Sequence, residues 1–138
     1  MVGRKRHALV DTLGFLLGIS VTEASLQDRD GARELLSKVL VGRFGRLKRI
    51  WADGGYSGKL VEEVASLPRH CGVELEIVKR SDCLKEFRVI PKRWIVERTF
   101  GWLVRNRRLV RDYEVLIQHS IAMIQISMLK LMLARIAR

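Results

Sequence analysis

Two carboxylates stand where they could do chemistry. In "RIWADGGYSGK", residues 49 to 59, the apolar run Ile50-Trp51-Ala52 ends in Asp53, and Gly54, Gly55, Tyr56, Ser57 and Gly58 follow at once. In "KRWIVERTFGWLVRNRRLV", residues 92 to 110, Glu97 is the only acid among apolar and basic side chains. Carboxylates from a strand end and a helix, beside a basic surface, are donors for Mg²⁺. That hard cation takes oxygen ligands and keeps waters for a substrate phosphate. Two such ions stabilise the attacking and leaving oxygens of a phosphodiester displacement. Each acid also has a structural reading. An Asp before Gly-Gly can bond its own backbone in a turn. Glu97 lies four residues after Arg93 and near Arg98 and Arg105, so it can form an exposed helical ion pair worth a few tenths of a kcal/mol. Asp28 and Asp30 are further oxygen donors, which we read as a helix N-cap and first-turn acids complementing the positive helix end.

The chemistry needs a scaffold and a partner. The chain has 138 residues, enough for one domain, 1–138, with a sizeable core. Hydrophobic residues make up 48%, which excludes a disordered tail. Lys and Arg number 26 against 15 Asp and Glu, a formal net charge of +11. A basic globular domain most often meets a polyanion, here read as nucleic acid. Cys71 and Cys83 are isolated thiols with no metal-knuckle spacing, and a reduced, cytoplasmic setting is expected. The greasy C-terminal stretch carries Gln118, His119, Gln125 and Lys130, so we expect a buried or partner-facing helix, with no membrane partner.

The elements that must position the acids follow from pattern. "RHALVDTLGFLLGISVTEA" predicts two strands joined near Thr12-Leu13-Gly14. A helix follows with Leu35, Leu36, Val39 and Leu40 on one face, ended by Gly42 and Gly45. "RLKRIWAD" predicts a strand, "GKLVEEVASLP" a helix closed by Pro68, and "VELEIVKR" a strand alternating at Val73, Leu75 and Ile77. "SDCLKEFRVI" reads as a loop. Pro91 then opens a long helix running to Val110, and a last helix covers about residues 116 to 136. The C-terminal helices thus occupy about 91–137. This β-β-α-β-α-β-α-α order predicts an α/β fold with a mixed or parallel sheet covered by helices. Asp53 sits at a strand's carboxyl end, where such sheets gather functional groups.

Together "GRKRHALVDTLG", "QDRDGA", "IWADGGYSGK", "EIVKR" and "PKRWIVERTFGWLVRNRRLVRDYE" resemble the catalytic domain of DDE-type bacterial insertion-sequence transposases, in order and over nearly the whole chain. The resemblance is to the group whose signature helix reads Tyr-x2-Arg-x3-Glu. It implies an RNase H-like fold and DNA transposition by metal-dependent cleavage and strand transfer. It also implies Mg²⁺ or Mn²⁺ as cofactor, with transposon terminal repeats and target DNA as partners. A homo-oligomer in a synaptic complex is expected. By motif, Asp53 matches the second catalytic aspartate and Glu97 the catalytic glutamate, both as metal ligands. Arg93 matches the signature arginine. Lys92, Arg93, Arg98, Arg105 and Arg108 are expected on DNA, with Tyr56 and Arg93 supporting the signature. Ile90 stands where the family has the signature tyrosine, and Arg105 is one residue off the usual spacing of the basic residue after the glutamate. The family's first aspartate lies on a strand upstream of a block like "GRKRHALVDTLG". Asp11 falls on the second strand near a turn, so the expected sheet lacks its first strand and one acid. The chain is then a fragment or one part of a split transposase, inactive alone.

Two other readings use the same residues. A basic DNA-binding remnant would use Arg105, Arg107, Arg108 and Arg111 with Trp102 and Tyr113, and no metal. An interaction protein would dock a partner or a second copy through the last helix, where Met123, Met128 and Met132 suit an adaptable surface.

Overall fold

A computed structural model describes residues 3–40, 44–66, 72–78 and 93–138. The loop expected at 81–90, Pro68, Pro91, Lys92, Ile90 and both cysteines lie outside the described residues.

The N-terminal hairpin forms as its composition predicts. Strand β1 (Arg4–Val10) pairs antiparallel with β2 (Leu16–Glu23), from Arg4 opposite Glu23 to Val10 opposite Leu16. Its turn needs neither Pro nor Asn, because Asp11 builds it. Asp11 Oδ1 accepts the Leu13 and Phe15 amides at 2.9 Å each, and Gly14 takes φ +88°. Leu9 opposes Gly18 and Val10 opposes Leu16, so Leu17 is an extra, bulged residue. A bulge flips the inside-outside alternation beyond it. That is why Leu16 joins Ile19 and Val21 in one cluster while Leu17 joins Leu9 in the other.

Each face of the hairpin therefore has its own layer. On one side lies α1 (Asp28–Val39), burying Gly31, Ala32, Leu35, Leu36 and Val39. The approach is close enough that a Cβ on Gly18 would collide with Val39. The expected Asp cap is corrected here. Gln27, in extended conformation, occupies the N-cap without a side-chain bond, and Asp28 is the first helical residue. Asp28 and Asp30 still complement the helix start, paired with Lys5 at 3.1 Å and Arg33 at 2.6 Å.

Strand β3 (Arg49–Asp53) pairs parallel with β4 (Glu74–Val78), Asp53 opposite Val78. A 3-10 turn (Gly54–Tyr56) and α2 (Lys59–Ser66) connect them. Ile50, Leu60, Val64, Val73 and Leu75 join Leu9 and the α1 residues in one core cluster. The other side of the hairpin is covered by α3 (Arg93–Val104), α4 (Arg107–Val110) and α5 (Ile117–Ile136). Here Ile19, Val21, Leu103, Leu109, Ile124 and Met128 form the second cluster.

Two expectations change. The long helix expected through Val110 breaks at Asn106, which takes extended backbone (φ −82°, ψ 115°) and starts α4. Arg105 and Asn106 amides close the end of α3 on Trp102 and Leu103 carbonyls, so Arg108 does not continue the Arg93–Glu97 stripe. The sheet is also not continuous. Among the described residues it is two two-stranded sheets, and β1 and β3 each have a single strand partner.

Candidate functional site

Asp53 ends β3 and is exposed. Its Oδ1 accepts the Gly55 amide at 3.0 Å, capping the 3-10 turn. Among the described residues its second oxygen has no hydrogen-bond partner. Of the glycines here only Gly58 requires a left-handed backbone, at φ +107°. A Cβ on Gly55 would lie 3.2 Å from Asp53 Oδ1 and 3.6 Å from Asp28 Oδ2, so the Asp28 carboxylate hangs over the same turn.

The turn is tied to the hairpin through Tyr56 and His7. The Tyr56 hydroxyl lies 3.3 Å from His7 Nδ1, and His7 Nε2 lies 3.0 Å from Thr22 Oγ1. Both partners are hydroxyls, which donate or accept, so either neutral tautomer is satisfied. Burial, against the nearby Asp28, keeps the His7 imidazole below its ordinary pKa. Burial and the Asp28 and Asp53 charges push the Tyr56 phenol up to about 12. His7 fits only because α1 carries Gly31 beneath it, where a Cβ would collide with the ring. Sequence reasoning missed His7. Its signal was its place between Lys5 and Leu9, alternate residues facing α1.

Glu97 is exposed on α3 and pairs with Arg93 Nε at 3.2 Å. Helix α3 contacts β1 and β3 and is pinned to the hairpin turn. Thr99 Oγ1 donates to Gly14 O at 2.6 Å, and Arg98 donates to Leu13 O at 2.8 Å. The Arg98 guanidinium lies over Trp94 (4.5 Å) and Trp102 (4.8 Å). It is thus held in packing rather than extended towards solvent. Arg105 is exposed, and Arg108 is exposed and paired with Glu114 at 2.9 Å.

The carboxylates fall short of a complete cation site. Among the described residues, no group of three or more His, Cys, Asp or Glu side chains gathers to hold a metal. Asp53 and Asp28 border one turn, and Glu97 lies on a helix touching the strand that carries Asp53. Asp11, set aside from the acid set because it lies near a turn, holds that turn by accepting the Leu13 and Phe15 amides.

Fold and site define a basic α/β domain that displays acids at the carboxyl end of a parallel strand pair. The family described as transposase DDE domain matches residues 2–130, and the chain belongs to that family. Membership implies a role in DNA transposition, with DNA as the partner. No curated protein and no solved structure matches the chain.

Proposed function

We propose that this chain serves insertion-sequence transposition by metal-dependent DNA cleavage and strand transfer. Asp53 and Glu97 supply two of the site's carboxylates. The observation that carries this reading is the family match over residues 2–130 with Asp53 exposed at the end of β3. Mg²⁺ or Mn²⁺ at these acids would activate the hydrolytic water and stabilise charge on the phosphodiester oxygens. Arg93 holds the Glu97 carboxylate, Tyr56 positions the Asp53 turn, and exposed Arg105 and Arg108, with Lys92, meet phosphate.

Two carboxylates alone hold such an ion poorly, so the chain by itself should cut DNA weakly or not at all. The fold supports the same reading. Residues of the β1–β2 and β3–β4 pairs join α1 in one core cluster, and among the described residues each of these strands has a single strand partner. One further strand between them, bearing the third acid, would complete an RNase H-like sheet within a single domain. Such a domain works as a homo-oligomer bridging two transposon ends. We place it in the cytoplasm. Helix α5 is long and apolar enough to cross a membrane, yet Ile124 and Met128 on it are core residues of the domain.

A specific observation favours a second reading, a DNA-binding remnant without catalysis: Asp53 and Glu97 both already have structural partners. Titrating Mn²⁺ calorimetrically into wild type and Asp53→Ala separates the two. Heat that depends on Asp53 supports the cation site. Equal heats with terminal-repeat DNA still bound leave the remnant. Vigorous Mg²⁺-dependent nicking by the wild-type chain, abolished by Asp53→Ala, overturns the inactive-alone expectation.

A further inference from the structure

We propose that the cleft between the start of β1 and the loop joining α4 to α5 is a DNA phosphate site, in which Arg6 and Arg111 are the free cations and Arg4 is the fixed one. The cleft measures about 590 Å³ and is lined by Arg4, Arg6, Val110, Arg111, Asp112 and Glu114. Its two walls are far apart in the chain and are joined where Arg6 Nη1 donates to the Leu109 carbonyl at 2.9 Å. Side chains alternate along a strand. Lys5 and His7 turn towards α1, where Lys5 pairs with Asp28 and His7 lies under Gly31. Arg4 and Arg6 therefore stand together on the other face.

The chemistry of the lining selects an anion. Arginine carries five N–H donors and no acceptor. Among the described residues Arg6 bonds the Leu109 carbonyl and no carboxylate, and Arg111 is exposed with no hydrogen bond or ion pair. Other exposed cations, Arg33, Lys38 and Arg49 among them, have carboxylate partners. The two acids in the lining leave Arg6 and Arg111 unmatched, because both are engaged. Asp112 accepts from Arg4, from Ser120 Oγ and from the Glu114 amide. Glu114 Oε1 accepts from Arg108 Nε at 2.9 Å. With Arg108 included, four arginines stand against two carboxylates, so the cleft keeps an excess of positive charge.

The occupant is a phosphate of the DNA backbone. The arginine fork matches phosphate oxygens, and DNA is the partner that family membership implies. Val110, 60% exposed, adds an apolar wall beside the arginines, which suits the carbons of an adjoining sugar better than a bare ion. Contacts of this kind position a duplex without reading its sequence. The inference rests on DNA as the partner and needs no metal at Asp53 or Glu97, so it stands or falls apart from the cleavage reading.

The test is duplex binding by the full chain in EDTA, which takes the acids' metal out of play, followed by fluorescence anisotropy over a range of salt concentrations. Arg111→Gln should weaken binding roughly tenfold at about 0.1 M salt and make the salt slope shallower by about one. Arg6→Gln/Arg111→Gln should make it shallower by about two, equally on duplexes of unrelated sequence. Arg46→Gln removes the same charge from an exposed arginine outside the cleft and should leave the slope as it is. A wild-type slope in Arg111→Gln overturns the proposal, and that exposed, unpaired side chain can be changed without touching the fold. An equal change in Arg46→Gln also overturns it, since the effect would then be net charge alone. So does a wild-type chain that does not bind duplex. So does tighter binding of polyglutamate or of a deoxynucleoside monophosphate than of DNA, with the same dependence on Arg111, which would make the cleft an acidic-peptide or a nucleotide site.

Discussion

The two faces of the hairpin are held by different means. On the α1 face, contact is backbone-close and depends on glycines: Gly18 against Val39, Gly31 against His7. On the α3–α5 face, contact runs through longer side chains and polar links: Thr99 to Gly14 O, Arg98 to Leu13 O, Arg6 to Leu109 O, and a node at Asp112. Asp112 accepts from Arg4 at 3.1 Å, Ser120 Oγ at 2.9 Å and the Glu114 amide at 3.1 Å, while Arg4 also donates to the Glu114 and Val115 carbonyls. A close-packed face fixes position tightly, and it is the one that sets the Asp53 turn. A face joined by side chains tolerates more, and it carries the cleft lined by Arg6 and Arg111.

The largest expected effect breaks the close-packed face. Gly→Ala inside a helix ordinarily gains up to about 1 kcal/mol. At Gly31 the sign should reverse, because the His7 ring is pinned by Thr22 and Tyr56 and has nowhere to go. Gly31→Ala should cost about 2–3 kcal/mol in denaturant melts, as overpacking does. Gly101→Ala on α3, where a Cβ meets nothing within 4 Å, should be neutral or stabilising. A stabilised Gly31→Ala would mean the His7 contact is soft.

The next effect tests the polar node. Asp112→Ala leaves Ser120 Oγ and the Glu114 amide without their acceptor and removes the carboxylate partner of Arg4, and should cost about 2 kcal/mol. Burial alone would raise the Asp112 pKa, but the Ser120, Glu114 and Arg4 donors hold it below the ordinary 3.8. A depressed carboxylate stabilises fully above its unfolded value and loses that contribution as pH falls through its folded value. Acid melting below about pH 4 should therefore be shallower in Asp112→Asn than in wild type.

How much of this was legible follows from the kind of interaction. Strand and helix identities came from local pattern: the hairpin, β3, β4, α1 and α2 lie where their apolar residues predict, and α5 begins one residue after its expected start. What escaped depends on contacts across sequence. The Leu17 bulge is set by pairing, the break at Asn106 by α4 packing Leu109 into the core, and Arg98's placement by two tryptophans. Asp11 was legible as a residue near a turn rather than a catalytic acid, but the two amides it accepts from show only once the turn is placed. The acids Asp53 and Glu97 were legible as motifs, and so were their bland roles, since both the turn bond and the ion pair form. Helix α5 is apolar on two sides, and only burial says that Met128 is core and that Met123 and Met132 pack against it.

The smallest expected effect sharpens the comparison between the two acids. Asp53 caps a turn that is itself anchored, so Asp53→Ala should cost about 0.5–1 kcal/mol. Glu97 has one exposed partner four residues away, with the side chains 48% and 62% exposed. Glu97→Gln should therefore move stability by only a few tenths of a kcal/mol. That near-silence is useful. If Glu97→Gln removes Mn²⁺ heat while its melting curve overlays the wild type, the loss belongs to the carboxylate's charge and not to the fold. If both heat and stability are unchanged, Glu97 is an ordinary surface ion pair, and the cation site must be sought around Asp53 and Asp28.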